Sequence, residues 1–324
     1  MTPGYAFVPL PDRVRRLQRD EARHDRIVPG TLSGALRCAW LTEQPVHVGS
    51  GFKARVGERV VREGIRVHGR PGIPGSSLKG VLRARYEAIT YSCAQSPGNH
   101  KHSLRSSSYE NYRGRIDRCA TDLDVFTPCR RDLCPACALF GTTSRRGRIV
   151  AGDLAAPATC GFTILRMPKQ FSPNLHHLGK FKEHKEQHLL VVHKLHGRKF
   201  AVSPAPERTS EKYTNVEAIP AGTRLEGSVG FINLTPQELG GLLVALGRHD
   251  IAATAPIKLG GGKCHAFGRL RLESLELIER RTPAREFTRS PAPRFDAWLA
   301  AFRSAEDCYL TGLTRLLEIH GREC

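Results

Sequence analysis

Acids, methionine and long apolar runs are all scarce in this 324-residue chain. It has 31 Asp and Glu against 50 Lys and Arg, a formal net charge of +19, with two Met, two Trp and 7% aromatic residues. No apolar run approaches the ~18–20 residues that would cross a bilayer, and the Arg-, Asp- and Glu-rich segment after Leu10 has no apolar signal-peptide core. A membrane partner is therefore not expected, and the reading is a soluble, cytoplasmic protein. The 40% hydrophobic share excludes global disorder. The shortage of acids also weakens metal-dependent nuclease readings, which want clustered carboxylates. The densest acids, Asp117, Asp122, Asp124 and Asp132, sit in a cysteine-rich insertion and read as surface charge. Fourteen histidines are present, with a group from His176 to His196, but none pairs with Cys or Ser in a triad context. A surface this basic attracts polyanions, nucleic acid foremost.

Ten cysteines are present, and Cys119, Cys129, Cys134 and Cys137 fall within nineteen residues. A secreted disulfide scaffold would be shorter and more evenly stapled. The Cys134-x-x-Cys137 knuckle holds two corners of a tetrahedral zinc site, and Cys119 and Cys129 supply two more. Cys93, His100 and His102 are reserve ligands in the same insertion. Four protein ligands would close the site, making it structural. Free thiols or a redox pair are the alternatives, although no thioredoxin-like pattern surrounds the knuckle.

Met1 to Gly30 reads as a basic arm or irregular lead-in. Leu32, Leu36, Cys38 and Trp40 alternate with Ser33, Ala35, Arg37 and Ala39 as a period-two strand, which runs towards a flexible turn at His47 to Gly51. Phe52 to Arg70 carries six basic residues, Lys53 and Arg55 among them, and only Glu58 and Glu63 as acids; it reads as a basic loop or hairpin. Gly72 to Leu82 then ends an extended segment with glycines and proline and opens a helix. Leu78, Val81, Leu82, Tyr86 and Ile89 share its apolar face, with Lys79 and Arg83 opposite. Free N–H groups, the hydroxyls of Ser76 and Ser77 and the positive charge of Lys79 suit a phosphate there.

Insertions are expected at about 91–147 and 167–216, the second as a projecting hairpin or loop. Leu225 to Phe231 alternate as a strand, and Thr235 to Glu238 form a capping box with Pro236 at the first helical position and Gly247 as the stop. A final strand spans about His265 to Ile278. A Pro/Arg-rich linker at 283–293 leads to a helical tail with Phe295, Trp298, Leu299 and Phe302 on one face. Two split βαβ halves of this kind build an α+β, ferredoxin-like domain over 31–282, an arrangement that RNA-recognition modules use by presenting the open sheet face to RNA. The run Gly260-Gly261-Gly262-Lys263 invites a phosphate-loop reading, but Cys264 stands where a Walker motif needs Ser or Thr and Ile257 where it needs Gly. Backbone approach to a nucleic-acid phosphate, with Lys263 and Arg269 alongside, stays open.

Four blocks together resemble the RAMP superfamily of CRISPR-associated proteins, particularly the guide-RNA backbone (Cas7-type) subunits of class 1 effector complexes. They are Val46 to Ser50, Ile73 to Gly80, Cys134 to Gly141, and Gly260 to Lys263 with Phe267 to Arg269, spanning Leu32 to Ile278. The resemblance implies an RRM-like palm with fingers and thumb, polymerising along a guide RNA with other copies of itself and other complex subunits, and presenting it to target nucleic acid. Carried over, the guide-contacting residues would be Ser76, Ser77, Lys79, Arg83, Gly261, Gly262 and Lys263, with His47 and Ser50 less strongly marked. Slicing members place an aspartate in the loop before the Pro-Gly-Ser-Ser block. No Asp stands between Phe52 and Arg70; Arg59 or Glu58 falls about where it would be, with Glu58 as the substitute. The resemblance then points to a non-cleaving subunit of a type IV or variant type III complex. A target-slicing or precursor-processing RAMP ribonuclease and a stand-alone zinc-containing RNA-binding protein are the alternatives.

Overall fold

The computed structural model describes residues 4–19, 22–94, 116–117, 125, 129–169, 179–184, 189–202, 212–250, 253–280, 287–289 and 294–321. In chain order the elements that place the site are β1 (Leu32–Thr42), β2 (Gly49–Val56), β3 (Arg59–Gly64), β4 (Arg70–Ile73) and α1 (Gly75–Ala88). After them come α2 (Pro135–Phe140), β5 (Ile149–Ala151), β6 (Leu154–Ala155) and β7 (Thr163–Pro168). The second half holds β8 (Tyr213–Ala218), β9 (Arg224–Leu234), α3 (Pro236–Leu246), β10 (Ile257–Lys258), β11 (Arg269–Arg280), α4 (Phe295–Arg303) and α5 (Leu310–Gly321).

The palm is the antiparallel order β11–β1–β9–β5 within a nine-stranded sheet. That is the ferredoxin-like order, with the first strand of each half in the middle and the helices α1 and α3 between the strands of each half. Leu36, Cys38 and Trp40 point into the core, and Leu78, Leu82 and Tyr86 of α1 meet it from the helical layer. The capping box at Thr235 is present in full, and Gly247 ends α3 in the left-handed region at φ 112°. Phe295, Trp298, Leu299 and Phe302 bury the apolar face of α4. Its close seat on α3 requires a glycine, since a Cβ at Gly240 would lie 1.9 Å from the Trp298 carbonyl oxygen.

A second sheet of four strands runs β7–β8–β3–β2. The sequence suggests a flexible turn at His47 to Gly51; instead β2 begins at Gly49, because its backbone pairs with β3 in an antiparallel hairpin. In the 167–216 region, Gly179–His184 and Leu189–Leu195 pair as a hairpin. Near the start of the chain, Tyr5–Val8 pairs with Arg198–Ala201, and Leu17 bridges Leu133.

Two buried arginines tie the layers together. Arg85 on α1 donates to the carbonyls of Ala245, Val244 and Pro256, capping the C-terminus of α3 with positive charge. Burial lowers its pKa to about 10. Arg148 is bonded to the Glu238 carboxylate and donates to the carbonyls of Ala138 on α2 and Asn233 at the end of β9. Glu238 also closes the capping box, so one ion pair joins α2, β9 and the start of α3. Replacing Arg148 with Met strands the Glu238 charge, and urea denaturation is expected to show a loss of about 3–5 kcal/mol; adding Glu238→Gln should recover part of it.

Candidate nucleic-acid cleft and metal centre

His47 lies where two distant segments converge. Val46 exchanges backbone hydrogen bonds with Ile219 at 2.9 and 2.8 Å, which extends β1 towards β8 and turns the His47 ring onto the Glu217 carbonyl, 2.7 Å from Nδ1. The glycine loop reaches the same point from the other end of the chain. Gly261 N–H donates to the His47 carbonyl at 2.8 Å, and a Cβ at Gly260 would sit 2.4 Å from that oxygen. Behind the loop, the Lys258 ammonium donates to Gln44 Oε1 and to the carbonyls of Lys263 and Phe267.

The convergence leaves a cleft of ≈ 690 Å³ between the β2–β3 hairpin, the end of β7 and the glycine loop. Among the described residues, Lys53, Arg62 and Lys169 line it with one acid, Glu63. None of the three cations is in an ion pair among the described residues. Some arginines elsewhere are matched, Arg66 with Glu217, Arg198 with Glu87, Arg269 and Arg271 with Glu43, whereas Arg59, Arg70 and Arg146 have no ion pair among the described residues. Phe52, 73% exposed, stands at the cleft wall beside Lys53. A groove of free cations with an exposed ring suits single-stranded nucleic acid, phosphates to the cations and a base to the ring.

The palm's open face suits it less. Arg37 of β1 sits in register between Ser228 and Glu276, and the neighbouring row is Gly230, Ala35 and Ile278. These two rows carry no ring for a base to stack on.

The sequence also marks residues on α1, which lie outside the cleft. Gly75 N–H donates to Asp153 Oδ1 at 2.7 Å, so the first free donor of the helix is taken by a carboxylate rather than left for a phosphate. Ser76 is exposed and Ser77 half-buried. Burial first, then the like charges of Arg83 and Arg146, lowers the pKa of Lys79. Arg83 turns the other way. It donates to Glu87 at 2.8 Å, the Gly141 carbonyl at 2.9 Å and Cys137 Sγ at 3.7 Å. Of the remaining sequence candidates, Ser50 accepts from the Phe52 N–H, and exposed Arg55 donates to the Gly57 carbonyl. Lys263 is half-buried, Gly262 is buried against Met167, Arg269 is buried with Glu43, and Glu58 is exposed in the turn between β2 and β3.

Arg83 borders a buried cluster of four sulfurs. Cys93, Cys129, Cys134 and Cys137 place their Sγ atoms within 4.8 Å of one another, with Cys93 3.6 Å from both Cys134 and Cys137 and 3.9 Å from Cys129. All four are free thiols. Metal–sulfur bonds of ~2.3 Å in a tetrahedron give sulfur–sulfur edges of ~3.8 Å, so the set fits a metal ion. Hydrogen bonding among the four thiols lowers the pKa of Cys129 and raises those of Cys93 and Cys137, so a bound metal ion would be needed to hold all four as thiolates. Outside the sulfurs, Glu87 accepts from Arg83 and Arg198, and Arg198 donates to the Cys93 carbonyl at 3.0 Å. Two guanidinium groups thus face a centre that four thiolates would make negative. The fourth corner is Cys93, a reserve ligand in the sequence reading. Cys119, His100 and His102 lie outside the described residues.

A family model of the RAMP superfamily matches residues 41–271, from the end of β1 to the start of β11. The chain belongs to the RAMP superfamily. No curated protein matches it. The matched span contains the cleft, α1 and the cysteine cluster, and RAMP membership carries a CRISPR-associated, RNA-binding role. In this RAMP domain the structure brings His47, Lys53 and Gly261 to one cleft and places the α1 group elsewhere. Sequence reasoning missed Phe52, Arg62 and Lys169 as lining residues. The ring of Phe52 beside Lys53 was the available signal for the first, whereas Lys169 reaches the cleft only through strand pairing.

Metal analysis by mass spectrometry is expected to find one ion per chain. Cys93→Ser should lower that content well below one equivalent and Cys119→Ser should leave it unchanged. Arg83→Ala should hasten loss of the ion to a chelator by about tenfold or more.

Proposed function

We propose that this RAMP protein is a non-cleaving backbone subunit of a class 1 CRISPR effector complex, a cytoplasmic ribonucleoprotein in which several copies bind guide RNA and present it for target pairing. The observation that carries the reading is the cleft where the His47 segment and the glycine loop meet, lined by Lys53, Arg62 and Lys169 without ion pairs among the described residues. Contacts of that kind hold a sugar–phosphate chain without reading its sequence, as a guide of changing sequence demands. Zinc is the ion proposed for the thiol cluster, since soft thiolates in a closed tetrahedral set select it and make it structural.

The non-cleaving part rests on the acids. Among the described residues Glu63 is the single carboxylate lining the cleft, and Glu58, which with Arg59 falls about at the slicing position in sequence, stands exposed in the hairpin turn outside the lining. Metal-assisted cleavage draws on clustered carboxylates. Variant type III and type IV assemblies suit a subunit of this kind, with other effector subunits and target nucleic acid as partners.

Binding to single-stranded RNA should weaken steeply with salt. The double variant Lys53→Ala/Arg62→Ala should bind about tenfold more weakly or worse at moderate salt, and its log–log salt slope should be shallower by about 1.4. With Mg²⁺ and a paired target RNA, no cleavage is expected. Regular cuts that disappear in Glu58→Ala would overturn the non-cleaving assignment and favour the slicing one.

A further inference from the structure

Among the groups lining the cleft, His47 stands apart because its chemistry is fixed by a neighbour. Its Nδ1 lies 2.7 Å from the Glu217 carbonyl oxygen. A carbonyl only accepts, so Nδ1 carries the hydrogen, and in the neutral ring Nε2 is then a bare acceptor. Glu217 is itself held, its carboxylate accepting from Gly64 N–H at 2.9 Å and pairing with Arg66. The ring is thus fixed in one tautomer and one orientation.

Nε2 has no hydrogen-bond partner among the described residues. It borders the cleft between two glycines. A Cβ at Gly49 would lie 3.4 Å from Nε2, and one at Gly261 would lie 3.5 Å from Cδ2. Side chains at those two positions would narrow the approach to the ring edge, which glycine leaves open.

We propose that His47 Nε2 accepts a hydrogen bond from a ribose 2′-hydroxyl, making it the residue by which the cleft selects RNA over DNA. The inference rests on the RNA-binding reading of the cleft and adds the sugar to it. A sugar–phosphate chain offers an acceptor little choice, because phosphate and ring oxygens only accept and the 2′-hydroxyl is the one donor along it. Phosphate oxygens, repelled by the Nε2 lone pair, go to Lys53, Arg62 and Lys169. Base donors are a poor match for a cleft built to hold any sequence. A deoxyribose strand leaves Nε2 dry and unpaired, a loss the cleft registers as weaker binding.

The test is fluorescence anisotropy on the full chain with three labelled homopolymers of one length: uridine RNA, its 2′-O-methyl form and deoxyuridine DNA. The wild type should bind the RNA about fivefold tighter or more than either of the others, since 2′-O-methylation also removes the donor. His47→Asn keeps a donor near the Nδ1 position for the Glu217 carbonyl and removes Nε2. It should bring RNA affinity to within about twofold of DNA affinity, the ratio of the two in the same variant being the readout. His47→Gln, which returns a polar group near the Nε2 position, should restore part of the preference. Equal wild-type affinity for the three polymers, or a preference that survives in His47→Asn, would overturn the proposal while the cleft remains a nucleic-acid site. The three-polymer comparison on the wild type decides this even if the variants fail to fold. Wild-type binding to none of the polymers would overturn the RNA-binding reading and this inference with it.

Discussion

The hydrogen bond from Gly261 N–H to the His47 carbonyl joins two backbones separated by most of the chain. It exists only because Gly260 lacks a Cβ and adopts φ 87°, a conformation that brings the loop within reach. Much of the site follows from it. The buried Lys258 ammonium holds the loop's later carbonyls, Gly268 N–H donates to Pro45, and His47 is pinned between the loop and β8. A side chain at Gly260 would push the loop off the His47–Val48 segment and open the cleft, while the palm core of Leu36, Trp40, Leu78 and Leu82 would remain intact.

A formal charge of +19 describes a field and says nothing about where it acts. Arg85 caps α3, Arg148 joins three elements through Glu238, and Arg83 and Arg198 share Glu87 beside the sulfur cluster. These cations are internal braces, each satisfied by carbonyls or a carboxylate, and they add little to the attraction of a polyanion. Lys53, Arg62 and Lys169 have no ion pair among the described residues, so their charge at the cleft is available to a phosphate chain. The distinction is one of pairing, which composition cannot express.

Legibility in the sequence followed the range of the interaction. The capping box at Thr235, the stop at Gly247 and the apolar faces of α1 and α4 were readable because each is set by residues within a few positions. The ferredoxin-like order was readable from the alternation of strands and helices. Arg83 illustrates the opposite case. Helical spacing put it on the solvent side with Lys79, yet α2 and the Cys93 segment fold over it and make it part of the sulfur centre. The knuckle at Cys134 and Cys137 was evident from spacing, whereas Cys93 joins it from the other end of the same insertion, where only tertiary structure brings it close. His47 to Gly51 looked like a turn because glycine and serine crowd there. Pairing with β3 makes most of it strand, and the glycines serve close approach to the histidine ring instead.

The central claim is that one RNA strand lies in the cleft formed by the β2–β3 hairpin and the glycine loop. Ultraviolet crosslinking of bound RNA followed by peptide mass spectrometry addresses it directly. The account predicts crosslinks to Phe52 and its neighbours on the hairpin and to the Gly260–Lys263 segment, with none on the open palm face around Arg37 and Glu276. Crosslinks confined to that open face, with the hairpin and the loop unmarked, would contradict it.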